Sequence, residues 1–293
     1  LDSDNQAMLM QAVLGGTNPV LGGVDHSTVA VIGSSSVVSG TRPTMAYVGA
    51  TDGMMHAICA STGGACDAIG RELWAYLPRT SLEQVRYNSG RIDGSPRVLD
   101  AYGDFYNTGE KSWRTILMFQ TGFGDTSSSV RLTAVYALDV SDPTNPAVLW
   151  EYSLANPASR NTAELGLGLT LAAGEVKTTN GPEWLAYAET NNAGSGSAGT
   201  VLTAIDITDG EPYWQTFYPY NSPHRSGGTS DMTAIAAGLP GGAVGVDKTG
   251  GGFITDVVFG TLYGDLWDVD PTTGISVDST GASGSDAPPG QPL

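Results

Sequence analysis

The sequence predicts an all-β fold, a β-propeller of four-stranded antiparallel blades, and three observations support this prediction. The composition is rich in turn formers, with 40 Gly and 16 Pro among 293 residues. Segments 44–63 and 255–274 share one spacing of glycines and alternating apolar residues. A tryptophan follows the turn in several related segments. Such chains are usually built from many short strands arranged as repeated units.

The repeat begins with a hairpin that contains two glycines. In the two best-matched copies, Gly49 aligns with Gly260 and Gly53 aligns with Gly264. The stretches MMHAIC and DLWDVD then alternate with the two-residue period of a half-buried strand. A glycine supplies the positive φ of a tight turn. An Asp at the end of the unit is expected to accept a hydrogen bond from its own downstream backbone.

Segments 136–152 and 203–217 end with a small residue, an apolar residue and Asp before a turn, and the first copy ends in the same way with Cys59 in place of the Asp. A tryptophan lies on each outgoing strand, and the three are Trp74, Trp150 and Trp214. We expect each indole ring to pack on the neighbouring blade while its N–H donates to a carbonyl. The copies are spaced more widely than typical propeller repeats, which predicts long inserted loops. An unclosed β-sandwich with coincidental hairpins is the alternative.

The repeats predict one propeller domain over residues 1–278, as a ring that this chain does not necessarily complete. Segment 279–293 is rich in Gly, Ser and Pro and is predicted to be a flexible linker or tail. The chain begins without Met, a basic flank or a signal peptide. We therefore expect it to be a mature or trimmed piece of a longer protein.

The formal net charge of −17 restricts the partners. Nucleic acid requires a basic surface, which this composition does not supply. An anionic membrane surface would repel the chain, and the sequence has no run of about 18 apolar residues that could form a spanning helix. The sequence thus predicts no nucleic-acid partner and no membrane insertion.

Cys59 and Cys66 are the only cysteines, and they flank a loop of turn-forming residues. Such a loop can bring two Cα atoms to about 6 Å, which a disulfide requires. The predicted bond suits an oxidising compartment outside the cytoplasm. Two free thiols are the alternative. Zinc is not expected, because no second Cys/His pair follows.

The three histidines, His26, His56 and His224, give no catalytic signature. The sequence lacks the G-x-S-x-G motif of a nucleophile elbow. His56 lies in a predicted blade strand, where we expect it to be packed or hydrogen-bonded. No catalytic residue is predicted.

Several segments resemble the C-terminal propeller of the PilY family, the type IV pilus tip adhesins. In the family's order they are LGGVDHSTVAVIG, RPTMAYVGATDGMMHA, ELWAYLP, DGSPRVLD, WRTILM, VYALDVSDPTNPAVLWEY and VVFGTLYGDLW, which together span most of residues 21–270. The resemblance implies a modified, quinoprotein-like propeller at a pilus tip, exported through the periplasm to the extracellular surface. It implies roles in pilus assembly, extension–retraction, adhesion and twitching motility, without catalysis. The implied partners are minor pilins and a receptor on a host cell or abiotic surface.

The family carries a calcium loop just before its final hairpin, and the corresponding segment here is DKTGGGFITD. The resemblance implies five ligands, namely Asp247, Thr249, Gly251, Phe253 through its carbonyl, and Asp256. Calcium prefers about 6–8 oxygen ligands. This sequence has Gly251 where the family has an Asp. Its last Asp, Asp256, comes one residue later than the family pattern places it. A Gly-rich hairpin turn capped by Asp is therefore the alternative to a calcium site.

Loops between strands are expected to carry recognition in this interpretation. The candidate loops are 104–111, 122–130, 191–199 and 218–230. Aromatic residues are typical anchors of interfaces, and the aromatic candidates in these loops are Phe123, Tyr218 and Tyr220.

Two other functions remain open from the sequence. The pattern A-φ-D-x-x-T-G-x-x-W also resembles the tryptophan-docking repeats of pyrroloquinoline quinone dehydrogenases, which would make the chain an enzyme. Those enzymes often carry a disulfide between adjacent cysteines, and no Cys–Cys pair occurs here. A scaffold propeller that docks other envelope proteins is the second alternative.

Overall fold

The structure is a computed structural model that describes residues 21–82, 85, 92–121, 134–153, 170–189, 199–219, 241–261 and 266–277. In these residues it contains fifteen β-strands and a 3₁₀ turn at Arg79–Ser81. The strands form four antiparallel sheets, which we call blades 1 to 4. The predicted all-β class with four-stranded blades is confirmed. The predicted tail, 279–293, lies outside the described residues.

The chain divides into two compact units, of which the first comprises Leu1–Asp100 and Trp113–Ala155. In blade 1 the strands neighbour one another in chain order, as β1 (Ala30–Ile32), β2 (Met45–Gly49), β3 (Met55–Cys59) and β4 (Glu72–Tyr76). Blade 2 repeats this meander with β5 (Arg97–Gly103), β6 (Ser112–Gln120), β7 (Ala134–Asp139) and β8 (Ala147–Ser153). The outer part of the β5–β6 hairpin, Ala101–Ser112, is counted with the second unit.

The second unit comprises Ala101–Ser112 and Asn156–Leu293. Its blade 3 is again a four-stranded meander, made of β9 (Ala172–Thr178), β10 (Gly181–Glu189), β11 (Gly199–Asp206) and β12 (Pro212–Pro219). Blade 4 has three strands in the described residues, β13 (Ala243–Val246), β14 (Asp256–Gly260) and β15 (Leu266–Val269).

Each unit has an apolar core shared by its two blades. In the first unit, Met45 and Tyr47 of blade 1 pack in one cluster with Leu117, Phe119 and Tyr136 of blade 2. The Phe119 and Tyr136 rings are stacked with their centroids 5.4 Å apart. Burying one such side chain stabilises the fold by roughly 1.5–3 kcal/mol, so this cluster holds the two blades face to face.

The core of the second unit follows the same plan. Leu185 and Leu202 of blade 3 cluster with Phe259 and Trp267 of blade 4. The Tyr218 ring of blade 3 meets the Phe259 and Trp267 rings edge-on, at centroid distances of 4.9 and 5.0 Å. Edge-to-face aromatic pairs contribute about 0.5–1.5 kcal/mol beyond their buried area.

The predicted repeat is confirmed at the level of single residue pairs. In three blades an alanine faces the tryptophan of the next strand, in the pairs Ala57–Trp74, Ala137–Trp150 and Ala204–Trp214. A β-bulge follows directly after each of these alanines. A bulge increases the local twist of its strand, so the three outer strands bend at the same point.

Two of the tryptophans donate to the next blade of their own unit. The Trp74 Nε1–H donates to the Pro143 carbonyl oxygen at 2.9 Å. The Trp214 Nε1–H donates to the Pro271 carbonyl oxygen, also at 2.9 Å. Both acceptors lie in turns that read Asp-Pro-Thr. The predicted docking of indole N–H groups on neighbouring-blade carbonyls is confirmed for these two residues.

The aspartates that end the repeat units close their turns as expected. Their Oδ1 atoms accept backbone N–H bonds from the residue two positions later, at 2.9 Å for Asp139, 2.8 Å for Asp206 and 2.8 Å for Asp270. These Asx-turns satisfy backbone donors that would otherwise lack partners.

The repeat glycines serve two different purposes. Gly53 and Gly274 have positive φ angles of 84° and 69°, as predicted for tight turns. Gly49 has no positive φ, and a Cβ atom there would lie 2.5 Å from the Ile92 carbonyl oxygen. The first glycine of the repeat is thus required for close approach of two backbone segments. Gly264 lies outside the described residues.

Candidate functional site

Loop 104–111 is the one candidate recognition loop that lies wholly within the described part of the chain. Its shape is fixed by Asp104, whose Oδ1 accepts the Thr108 N–H at 2.9 Å and whose Oδ2 accepts the Gly109 N–H at 2.7 Å. The hydrogen bonds from the Thr108 N–H, the Gly109 N–H and the Thr108 hydroxyl lower the pKa of the Asp104 carboxyl. Tyr106 lies in this closed loop with 49% of its surface exposed. The loop therefore presents an aromatic ring on an ordered backbone.

Tyr218 is not a surface anchor, and that prediction was wrong. It is 3% exposed, and its hydroxyl donates to the Gly274 carbonyl oxygen at 2.7 Å. The alternation of β12 turns this ring towards Phe259 in the core. Phe123, Tyr220 and most of the other three candidate loops lie outside the described residues.

Cys59 and Cys66 are joined as a disulfide with Cα atoms 5.7 Å apart, as predicted. Both residues are buried in the core of the first unit. Gly63 and Cys66 exchange two backbone hydrogen bonds of 2.9 Å inside the loop. The bond therefore anchors a closed loop to the core of blade 1, and it touches no catalytic group in the described residues.

Asp247 closes the predicted calcium loop through hydrogen bonds within the loop. Its Oδ1 accepts the N–H groups of Thr249 at 2.9 Å and Gly250 at 2.8 Å, and the Thr249 hydroxyl at 2.9 Å. Its Oδ2 accepts the Gly252 N–H at 2.7 Å. The hydrogen bonds from Gly252, Thr249 and Gly250 lower the pKa of Asp247 to about 2. Both carboxylate oxygens are thus committed to the backbone of their own loop.

Asp256, the second predicted carboxylate ligand, is engaged elsewhere. Its Oδ1 accepts the Lys248 ammonium at 2.6 Å, and its Oδ2 accepts the Thr255 hydroxyl at 2.6 Å. Burial acts to raise the pKa of Asp256, but the hydrogen bonds from Lys248 and Thr255 hold it below its usual range. The same ammonium lies 3.0 Å from Asp268 Oδ2. The sequence did not single out Lys248 or Asp268, although Asp268 stands in the quoted stretch DLWDVD.

The residues present do not fit calcium at this loop. Calcium needs about 6–8 oxygens that face one point. Here the Asp247 oxygens face the amides of their own loop, Gly251 offers no side chain, and a lysine ammonium already neutralises Asp256. Calcium at this loop remains a prediction from the resemblance, and the geometry argues against it.

His56 is held between two carboxylates on blade 1. It is 2% exposed, with Nε2 3.0 Å from Asp52 Oδ2 and Nδ1 3.3 Å from Glu72 Oε1. Burial acts to lower the pKa of His56, but the Asp52 hydrogen bond and the charges of both carboxylates raise it above its ordinary value. The packed, hydrogen-bonded role expected for His56 is confirmed.

One further group of ligating side chains lies together in the described residues. Asp25, His26 and Asp93 bring their ligand atoms within 4.8 Å of one another. His26 Nδ1 is 3.6 Å from an oxygen of each carboxylate, and its side chain is 55% exposed. The arrangement is that of an exposed imidazole between one exposed carboxylate, Asp25, and one buried carboxylate, Asp93.

Meander blades joined by docked tryptophans define a propeller-type, all-β protein, and comparisons with known proteins narrow that class. No protein-family model matches the chain. A type IV pilus biogenesis factor PilY1 homolog from Xylella fastidiosa is 30% identical over 146 residues, covering 49% of this chain and 10% of that protein. PilY1 from Pseudomonas aeruginosa PAO1 is 26% identical over 259 residues, covering 85% of this chain and 19% of PilY1.

A solved structure of a PilY1 domain is also similar to this chain. The P. aeruginosa PilY1 C-terminal domain aligns with a TM-score of 0.52 and 26% identity, covering 78% of this chain and 39% of that one. A quinohemoprotein alcohol dehydrogenase from Pseudomonas putida HK5 is more distant, with a TM-score of 0.45 and 14% identity over 78% of this chain. The resemblance to a PilY-type C-terminal domain is confirmed. The chain spans less than a fifth of the length of the curated relatives that it matches.

In the described ranges, no helix has the length and apolar character needed to cross a bilayer.

Proposed function

We propose that this chain is a non-enzymatic domain of a type IV pilus tip protein that is exported through the periplasm to the cell surface. It supports pilus assembly and extension–retraction, attachment to surfaces and twitching motility. The observation that carries the proposal is the similarity to the PilY1 C-terminal domain, in sequence and in structure, over 78% of the chain. Its partners in this proposal are minor pilins and a host-cell or abiotic surface.

The architecture supports a binding role in physical terms. Docked tryptophans and a shared core make each blade pair rigid, and rigid elements hold loops in one conformation. Loop 104–111 is closed by Asp104 and exposes Tyr106. An exposed aromatic ring on an ordered loop binds a partner with little loss of conformational entropy. We therefore assign loop 104–111 to the contact surface.

The proposal is tested in a strain that carries the gene and assembles pili. Deleting the segment that encodes this chain should reduce surface pili, twitching zones and attachment together. Tyr106→Ala should leave the amount of pili unchanged and reduce attachment. Tyr213→Ala is the matched control, because Tyr213 is 41% exposed and belongs to strand β12, outside loop 104–111. Wild-type piliation, twitching and attachment in the deletion strain would contradict the proposal.

Two further measurements separate the alternatives. Tryptophan docking at Trp74 and Trp214 is the feature expected of quinone-dependent dehydrogenases as well. Purified chain mixed with pyrroloquinoline quinone, Ca²⁺, an alcohol and a redox dye should show no dye reduction if the domain is not an enzyme. Capture of minor pilins from a pilus preparation without binding to cells or abiotic surfaces would favour the scaffold function over adhesion.

A further inference from the structure

Lys248 binds two buried carboxylates of blade 4 with one ammonium group. Its Nζ lies 2.6 Å from Asp256 Oδ1 and 3.0 Å from Asp268 Oδ2. The two carboxylate side chains are only 7% and 10% exposed, whereas the lysine side chain is 55% exposed. Buried like charges repel strongly unless a cation lies between them. The ammonium is the cation that lies there.

The strand register explains why the two carboxylates lie close together. Asp268 on β15 stands opposite Val258 on β14, two residues after Asp256. Residues two apart point to the same face of a sheet, so Asp256 and Asp268 are diagonal neighbours. The other face of blade 4 carries Phe259 and Trp267 and packs into the core. The acidic pair is thus a fixed property of the sheet.

The chemistry of the pair favours a bound cation. Asp268 Oδ1 is buried and has no hydrogen-bond partner within the described residues. Two carboxylates carry two negative charges and an ammonium carries one positive charge. A buried carboxylate oxygen without a donor is costly. By charge, this is a cation-binding group, and the Lys248 ammonium occupies it.

The loop backbone holds the ammonium in place. The Lys248 N–H donates to Thr255 Oγ1 at 3.0 Å, and the same hydroxyl donates to Asp256 Oδ2 at 2.6 Å. Asp247, the residue before Lys248, closes the turn that follows the lysine through four hydrogen bonds from Thr249, Gly250 and Gly252. The lysine backbone is therefore fixed at the end of β13, within reach of both carboxylates.

We propose that Lys248 is the resident cation of this loop. Its ammonium does the electrostatic work that the family resemblance gives to Ca²⁺, and it keeps loop 247–256 and the acidic face of blade 4 ordered without a metal ion. The proposal rests on the contacts of Lys248 and does not depend on the pilus function.

The test compares thermal unfolding of the purified chain with excess EDTA and with millimolar CaCl₂. The wild-type melting temperature should be the same in both. Lys248→Ala removes the ammonium and leaves the acidic pair, so it should melt lower in EDTA and gain at least about 3 °C with Ca²⁺. Titration calorimetry should detect Ca²⁺ binding to this variant and none to the wild type. Adding Asp256→Asn and Asp268→Asn to K248A should abolish the gain.

Lys177→Ala is the matched control, because this substitution removes one positive charge from the same unit. Lys177 Nζ lies 4.4 Å from the Phe253 ring centroid. The Lys177→Ala variant should gain no response to Ca²⁺. If K248A does not fold in EDTA, Lys248→Gln replaces it in the same comparison, and the wild-type titration is decisive in either case. Calcium binding by the wild type would overturn the proposal, and so would a folded Lys248 variant that gains no calcium response.

Discussion

The Trp214 indole and the Tyr187 hydroxyl donate to the same acceptor, the Pro271 carbonyl oxygen, each at 2.9 Å. A carbonyl oxygen has two lone pairs and can accept both. The related pair in blade 1, Tyr47 and Trp74, has the same ring separation of 5.9 Å. There, however, the Tyr47 hydroxyl is buried with no hydrogen-bond partner in the described part of the chain.

This difference predicts that two equivalent Tyr→Phe substitutions change the free energy of unfolding by different amounts. Tyr187→Phe should lower the free energy of unfolding by about 1 kcal/mol, because a buried hydrogen bond is lost. Tyr47→Phe should change it by less than about 0.5 kcal/mol or increase it, because it removes a buried hydroxyl without a partner. Urea denaturation of both variants checks the prediction. Equal losses in the two variants would contradict it.

His56 should make the stability depend on pH. Its pKa is raised in the folded state, so its contribution is complete below about pH 6.5, the unfolded value, and declines as pH rises through the folded pKa. The Asp52 pKa is lowered in the folded state: burial acts to raise it, but the His56 hydrogen bond and charge, together with the N–H groups of Gly22 and Met54, outweigh burial. The Asp52 contribution is therefore present above about pH 4 and lost in stronger acid.

His56→Gln should consequently cost most between about pH 4 and 6.5 and progressively less at alkaline pH. Urea midpoints measured across this range check the prediction. His26→Gln is the control and should have a smaller effect, because its side chain is 55% exposed and exposed ion pairs contribute little. A His56→Gln deficit that is constant from acid to alkaline pH would show that the ion pairs do not cause it.

The disulfide should stabilise the fold through its short loop. Cys59 and Cys66 are seven residues apart, and the loop-entropy model gives about 2.5 kcal/mol for a loop of that size. The double variant Cys59→Ala/Cys66→Ala should lose about that amount. Reducing agent should destabilise the wild type and leave the double variant unchanged. A stable wild type under full reduction would contradict the entropic account.

Gly49 and Gly33 form a matched test of close backbone approach. Gly49→Ala would place a Cβ atom 2.5 Å from the Ile92 carbonyl oxygen, whereas the nearest atom at Gly33 is 3.7 Å away. Gly49→Ala should cost more than about 2 kcal/mol because backbone must move. Gly33→Ala should be neutral or slightly stabilising. Thermal unfolding of both variants distinguishes them, and similar melting temperatures would refute the steric argument.

The sequence predicted the blades well because their signals are local. Alternation, turn glycines and the tryptophan after each turn depend on residues close together in the chain. The Ala57–Trp74 and Ala204–Trp214 pairs follow directly from that pattern. The acceptor carbonyl of Pro143 could not be predicted, because it lies 69 residues from Trp74.

The recognition and cation sites were predicted less well, for physical reasons. Tyr218 is the first residue of segment 218–230, which resembles a loop, but strand β12 extends through it and buries the ring. The Lys248–Asp268 contact joins a loop to the last strand across 20 residues, and no spacing motif describes it. The carboxylates of the predicted calcium loop were found by resemblance alone. A resemblance does not say what Asp256, one residue out of register, contacts.

Docking through Pro143 and Pro271 has an evolutionary consequence, because the tryptophans recognise main-chain oxygens. The proline side chains take no part in these hydrogen bonds, whereas the Asp before each proline accepts the N–H of the Thr after it and closes the turn. Sequence variation at the acceptor positions leaves the carbonyl in place as long as the Asp-closed turn around it is kept. A joint of this design depends on the shape of the turn and not on the side chain that carries the acceptor carbonyl.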